Sequence, residues 1–213
     1  MGTCCGNNAC GAPAPTDSRV RVLLWIALCI NAVMFAVEMI TGIVGGSVSL
    51  QADALDFLSD AANYGISLLV VGRALRTRAT AALIKGASMA AFGVWVFGQT
   101  VYQAALGTVP AAEVMGGVGF VALIANLSVA AMLFTLRHGD SNLKSAWICS
   151  RNDAIGNGAV LLAAGGVFAT TSRWPDILVA AIIATLALSG ALHIIRQAWA
   201  EWKTAPHTLI PPP

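Results

Sequence analysis

Three carboxylates, Asp53, Asp56 and Asp60, punctuate the stretch SVSLQADALDFLSDAAN at residues 47–63, which is otherwise built of small and apolar residues. Positions i, i+3 and i+7 of a helix share one face. Further along, Cys149 and Asp153 stand four residues apart, again one helical turn. Two carboxylates at i, i+4 (Asp56 and Asp60) and a thiol with a carboxylate at i, i+4 make a set of four donors. Four donors of this kind suit a tetrahedral divalent metal. Three oxygens and one sulfur are too few and too soft for calcium or magnesium, which want six or more oxygens or retained waters. A thiolate favours zinc, and cadmium still more. The thiol must lose its proton to bind, and carboxylates that repel one another retain protons when no metal is present. Metal and protons therefore compete for one site. For Cys149 alone, the competing reading is a small apolar side chain that packs well.

The elements that would carry these groups are membrane spans. The chain has 213 residues, of which 57% are hydrophobic and only 10% charged, too few polar groups to cover a soluble globule of this size. Long continuous apolar runs, without the alternating pattern of a barrel, require helices. Six spans are expected, at about residues 22–43, 49–71, 79–106, 114–136, 143–171 and 176–198. The fifth begins weakly apolar, so a hydropathy window would start it too late. The fold class is all-α, an integral membrane protein with six transmembrane helices. Residues 1–18 read as a disordered Cys-containing tail, residues 19–203 as the membrane domain, and residues 204–213 as a short Pro-rich tail. Five cysteines, an odd number, do not read as a disulfide framework.

Basic residues set the orientation. Arg19, Arg21, Arg73, Arg76, Arg78, Arg137, Lys144, Arg196 and Lys203 fall on one side, and only Arg173 on the other. Both termini are therefore expected to be cytoplasmic, in a multi-pass protein of the cell (inner) membrane. Counted inward from that side, Asp60 and Asp153 each lie roughly a dozen residues deep, near mid-bilayer at about 1.5 Å per residue. Charge at that depth is costly and marks an ion pathway by default. A net charge of +2 carries no signal for nucleic acid.

Other polar residues are accessory candidates. Asn31 and Glu38 share a face of the first span; they line the ion path or relay protons, or else make a helix-packing hydrogen bond. Asp53 is either a supporting group or a residue near the outer mouth. Asn157, one turn beyond Asp153, is placed to hydrogen-bond to the site. Lys85 is expected to snorkel to the interface. Cys4, Cys5 and Cys10 are candidates for capture of soft ions at the cytoplasmic face, unless the tail is inert.

The segment from Asn31 to Glu38, then Gly46 to Asp60, resembles the first two helices of the cation diffusion facilitator family. Residues 145–157, SAWICSRNDAIGN, resemble its fifth helix, with Asp153 at the position of the second ligand and Cys149 where the family usually has His or Asp. The resemblance covers about residues 19–200. It implies a six-helix, proton-coupled exporter of zinc and related divalent ions, with Asp56, Asp60, Cys149 and Asp153 as ligands. It implies no resident cofactor, the transported ion being zinc or cadmium, and it implies metal ions, protons and lipid as partners and a homodimer as the assembly. Two departures stand out. The thiol tilts selectivity to softer ions, and the family's cytoplasmic C-terminal domain is not expected, since the sequence ends soon after Trp202. A competing reading is an intramembrane metal-dependent enzyme of lipid phosphotransfer type, which Asp53-x-x-Asp56 with Asp60 loosely resembles. Against it, the Gly and Arg such enzymes carry are missing, and the fifth span would have no role.

Overall fold

The computed structural model describes residues 18–69, 74–134 and 141–204, with residues 141–152 described as backbone only. Cys4, Cys5, Cys10, the side chain of Cys149 and residues 205–213 therefore lie outside the described residues. Six helices follow one another: α1 Ser18–Val44, α2 Val48–Leu69, α3 Leu75–Leu106, α4 Ala112–Phe134, α5 Ser141–Thr170 and α6 Trp174–Thr204. No strand occurs among the described residues. The chain is an all-α, multi-pass membrane protein, as expected.

Five of the helices are long and apolar enough to cross a membrane; α2 is the exception. Its carboxylates lower its hydropathy, yet it spans 22 residues, about 33 Å at 1.5 Å per residue. Helix α5 starts at Ser141, and its stretch from Asp153 to Thr170 is by itself long and apolar enough to cross a membrane. Helix ends run past the expected spans, with α1 starting at Ser18, α3 at Leu75 and α6 ending at Thr204. Hydropathy marks the hydrocarbon slab, whereas helical hydrogen bonding continues into the interface.

The bundle encloses its polar side chains together with an apolar core and turns many large apolar side chains outward. In α1 the buried positions are Val20, Leu24, Ala27, Asn31, Met34, Glu38 and Gly42, a stripe of threes and fours. The polar members point inward, and Val22, Ile26, Val33 and Ile40 point outward. Helix α2 is buried along most of its length and packs against α1, α3, α5 and α6. The other extensive pairings are α3 with α6 and α4 with α5. Small residues permit them: a Cβ on Gly86 would lie 2.7 Å from Ile195 Cγ1, and one on Gly93 2.9 Å from Leu188 Cδ2.

The start of α2 is fixed by three neighbouring elements. The α1–α2 turn places Gly46 at φ +67°, a left-handed conformation that glycine adopts without strain. A Cβ on Gly42 would meet Gln51 Cγ at 2.9 Å and the Ser47 carbonyl oxygen at 3.1 Å, so α1 and α2 touch backbone to backbone. Ser47 caps α2, its Oγ accepting from the Leu50 N–H at 3.2 Å. Asp176, in the first turn of α6, completes the cap. Its carboxylate accepts from Ser47 Oγ at 2.7 Å, Val48 N–H at 2.9 Å and Ser49 N–H at 3.0 Å. The same end of the bundle is knit further by Gln103 Nε2 donating to the Gly46 carbonyl and Ala111 N–H donating to that of Gly45. Arg173 donates to the carbonyls of Ala104 and Gly107.

Asp176→Ala removes a buried carboxylate from two backbone N–H groups, and is expected to cost about 1–3 kcal/mol. Thermal unfolding in detergent checks this: a lowered melting temperature is expected, with Asp176→Asn intermediate. A wild-type melting temperature would show that the cap does not hold α2.

Candidate functional site

The metal-ligand candidates lie on two helices that touch, α2 and α5. Asp60 is buried, and Tyr64, one turn later, donates its hydroxyl to Asp60 Oδ2 at 3.2 Å. That bond fixes the carboxylate's orientation while leaving Oδ1 outside it. Asp56 is half-buried one turn before. On α5, Asp153 is half-buried as well. Cys149 lies on the same helix one turn earlier, its side chain outside the described residues. Among the described residues no three of His, Cys, Asp and Glu gather closely enough to hold a metal ion. The fourth donor proposed from the sequence is among the undescribed side chains.

The accessory candidates divide in two. Asn31 is buried and spends its amide N–H on the Ala27 carbonyl of its own helix, at 2.8 Å, while its Oδ1 is buried without a donor. Asn157 is fully buried, and neither its Oδ1 nor its Nδ2 has a hydrogen-bond partner among the described residues. Glu38 and Asp53 come together. Their carboxyl groups meet across the α1–α2 contact within hydrogen-bonding reach of each other. Asp53 Oδ1 also approaches α5, lying 3.8 Å from where a Cβ on Gly156 would stand. Asp53 is thus an interior group, 1% exposed, rather than a residue of the outer mouth.

Lys85 departs from expectation. It does not reach out to the interface; it is buried, and its Nζ donates to Asn63 Oδ1 across the α2–α3 contact. An ammonium in hydrocarbon needs acceptors, and α2 supplies one three residues beyond Asp60. Tyr64 and Asn63 went unremarked in the sequence, although Tyr64 stands at i+4 from Asp60 and that spacing was a usable signal. Asp176 had no such signal, because its partners are 127 to 129 residues away.

What the arrangement can do follows from its placement. A helix bearing four carboxylate or amide groups along its interior stripe is enclosed by four other helices. Charged cargo can be received there out of contact with lipid, and exchange of protons for cations is the chemistry such groups support. The sequence model of the cation efflux transmembrane domain matches residues 24–201, most of the chain. No individual curated protein matches it.

Asn63→Leu takes an acceptor from the buried Lys85 ammonium and is expected to destabilise the protein by about 1–3 kcal/mol. Adding Lys85→Met is expected to restore part of that loss in detergent unfolding. Strictly additive losses would show that the two residues do not depend on each other.

Proposed function

The chain belongs to the cation efflux family, and on that premise we propose that it is a proton-coupled antiporter exporting zinc or cadmium from the cytoplasm. Family membership makes it a transporter of metal cations in a membrane and not an enzyme, which sets aside the phosphotransfer reading. The observation that carries the proposal is the position of α2: the most acidic helix is the one enclosed by α1, α3, α5 and α6. Its burial against α5 supports a shared site of Asp56, Asp60, Cys149 and Asp153.

The residues have distinct roles in this reading. Asp56, Asp60 and Asp153 supply hard oxygen donors and neutralise the divalent charge. Cys149 supplies the soft donor that discriminates among metals. Tyr64 holds Asp60 in its orientation, as outer hydrogen bonds to metal-bound carboxylates do. On the cytoplasmic side the metal displaces protons from the donors. On the other side, protons compete the metal off, and the protonated site returns. The gradient of protons across the cell membrane thereby drives export, with both termini on the cytoplasmic side. Cys4, Cys5 and Cys10 deliver soft ions to that face.

Proteoliposomes with an imposed pH gradient test the mechanism. Cadmium or zinc uptake coupled to proton movement is expected, and proton movement that does not require metal would contradict antiport. Asp60→Ala and Asp153→Ala are each expected to abolish uptake while the protein still inserts; full activity in either would remove the proposed site. Tyr64→Phe is expected to raise the half-saturating metal concentration on the order of 10-fold while leaving the maximal rate. Cys149→His is expected to shift preference from cadmium towards zinc, and an unchanged ratio would mean that the thiol is not a ligand.

A further inference from the structure

One buried acidic pair is not used by the metal site. Glu38 of α1 is completely buried, and neither carboxylate oxygen has a hydrogen-bond donor among the described residues. Asp53 of α2 is 1% exposed, and its Oδ2 also lacks a donor. The two carboxyls nevertheless lie within hydrogen-bonding reach of each other. Two carboxylate anions cannot both accept, and in a low-dielectric interior their repulsion would push the helices apart. A proton held between them supplies the missing donor and removes one of the two charges. Asp53 precedes Asp56 by three residues, so the pair lies one helical turn from the proposed metal ligands without being among them.

We propose that Glu38 and Asp53 form a proton-carrying carboxyl dyad, separate from the metal ligands, that holds a counter-transported proton at the contact of α1, α2 and α5. The proposal rests on the antiport reading and adds to it a second place for a counter-transported proton, beside the protons that the metal ligands exchange directly. With one shared proton the dyad carries a single negative charge. Uptake of one further proton makes it neutral, and its release restores the charge. No other bond forms or breaks.

The surroundings favour proton exchange at this place. From α2 itself, Asp56 and Asp60 face the same interior. From α5, Asp153 lies one turn from the fully buried Asn157, and Asp53 abuts Gly156, where the absence of a Cβ leaves room beside Oδ1. On α3, Lys85 is engaged by Asn63, and on α6, Asp176 is engaged at the α2 N-terminus. The acidic residue of α4 is Glu113, in the first turn of that helix, and its buried polar group is the neutral Asn126. A metal bound at Asp56 and Asp60 adds positive charge one turn away and favours release of the dyad's second proton. Loss of the metal favours its return. Metal and proton are thereby linked by charge without sharing ligands.

The test compares wild type with Glu38→Gln in three measurements. These are equilibrium cadmium binding in detergent, cadmium uptake driven by a pH gradient, and cadmium–cadmium counterflow without a gradient. For Glu38→Gln, cadmium affinity is expected to stay within about threefold of wild type, as for separate sites. Counterflow is expected to persist, and acceleration by the pH gradient to fall clearly below that of wild type. Asp53→Asn, made in parallel, is expected to show the same split, and retained counterflow reports that each variant is folded. Undiminished gradient-driven uptake in both variants would overturn the proposal. So would a loss of cadmium affinity matching that of Asp60→Asn, which would make Glu38 a ligand. A sodium or potassium requirement that Glu38→Gln removes would likewise overturn it, by assigning the pair to another cation. If wild type itself shows no response to a pH gradient, the antiport reading fails instead.

Discussion

The constraint on which this structure depends is the cost of carrying charge through hydrocarbon. Asp53, Asp56 and Asp60 stand on one helix, and none of them can face lipid. The bundle answers by placing α2 in contact with α1, α3, α5 and α6, so that it is the most enclosed helix of the six. Apolar residues that would form the core of a soluble protein face outward instead, among them Leu162 and Phe168 of α5 and Trp95 of α3. Inside, polar groups lie among apolar clusters such as Val48, Leu50, Leu55 and Val96, and each of them needs a partner or a function. Tyr64 serves Asp60, Asn63 serves Lys85, and Asp176 serves the N-terminal amides of α2. Glu38, Asp53 and Asn157 retain buried polar atoms that no donor or acceptor among the described residues satisfies.

The two ends of α2 have different duties. Its start is immobilised by the α6 carboxylate, by the backbone contact at Gly42, and by bonds that join the three interhelical turns at that end. Such a clamp sets the register of α2 against its neighbours before any ligand arrives. The carboxylates follow in order along the helix, Asp53 against α1 and α5, then Asp56, then Asp60 with its tyrosine. In the function proposed here, a cation moving along this stripe would meet groups whose positions are determined by packing rather than by the cation itself. Preorganisation of that kind lowers the cost of binding a divalent ion in a dry interior.

The architecture was legible in the sequence because hydropathy and charge report directly on membrane partition. The six helices and the shared inward face of Asn31 and Glu38 appear in the structure as read. Residues 53, 56 and 60 announced themselves by being costly where they stand. What the sequence concealed were contacts whose partners are far apart along the chain. Nothing around Asp176 hints that it caps a helix begun at Val48. Lys85 reads as a snorkelling side chain until Asn63 is seen facing it from α2. For Asp53 the sequence left a supporting group and a residue of the outer mouth both open, because the neighbour that marks it as interior, Glu38, lies on another helix, α1.

Membership of the cation efflux family gives the chain its cargo class, metal cations, and α2 packs against α5, the two helices of the proposed site. The distinctive element of the proposed site is the thiol of Cys149 beside three carboxylates. Zinc X-ray absorption on purified, zinc-loaded protein carrying Cys4→Ser, Cys5→Ser and Cys10→Ser tests it most directly. The expected spectrum has one sulfur at about 2.3 Å and oxygen donors at about 2.0–2.2 Å, with the sulfur lost in Cys149→Ser. A shell of oxygen and nitrogen alone, or a sulfur that survives Cys149→Ser, would contradict a site shared by α2 and α5 in this form.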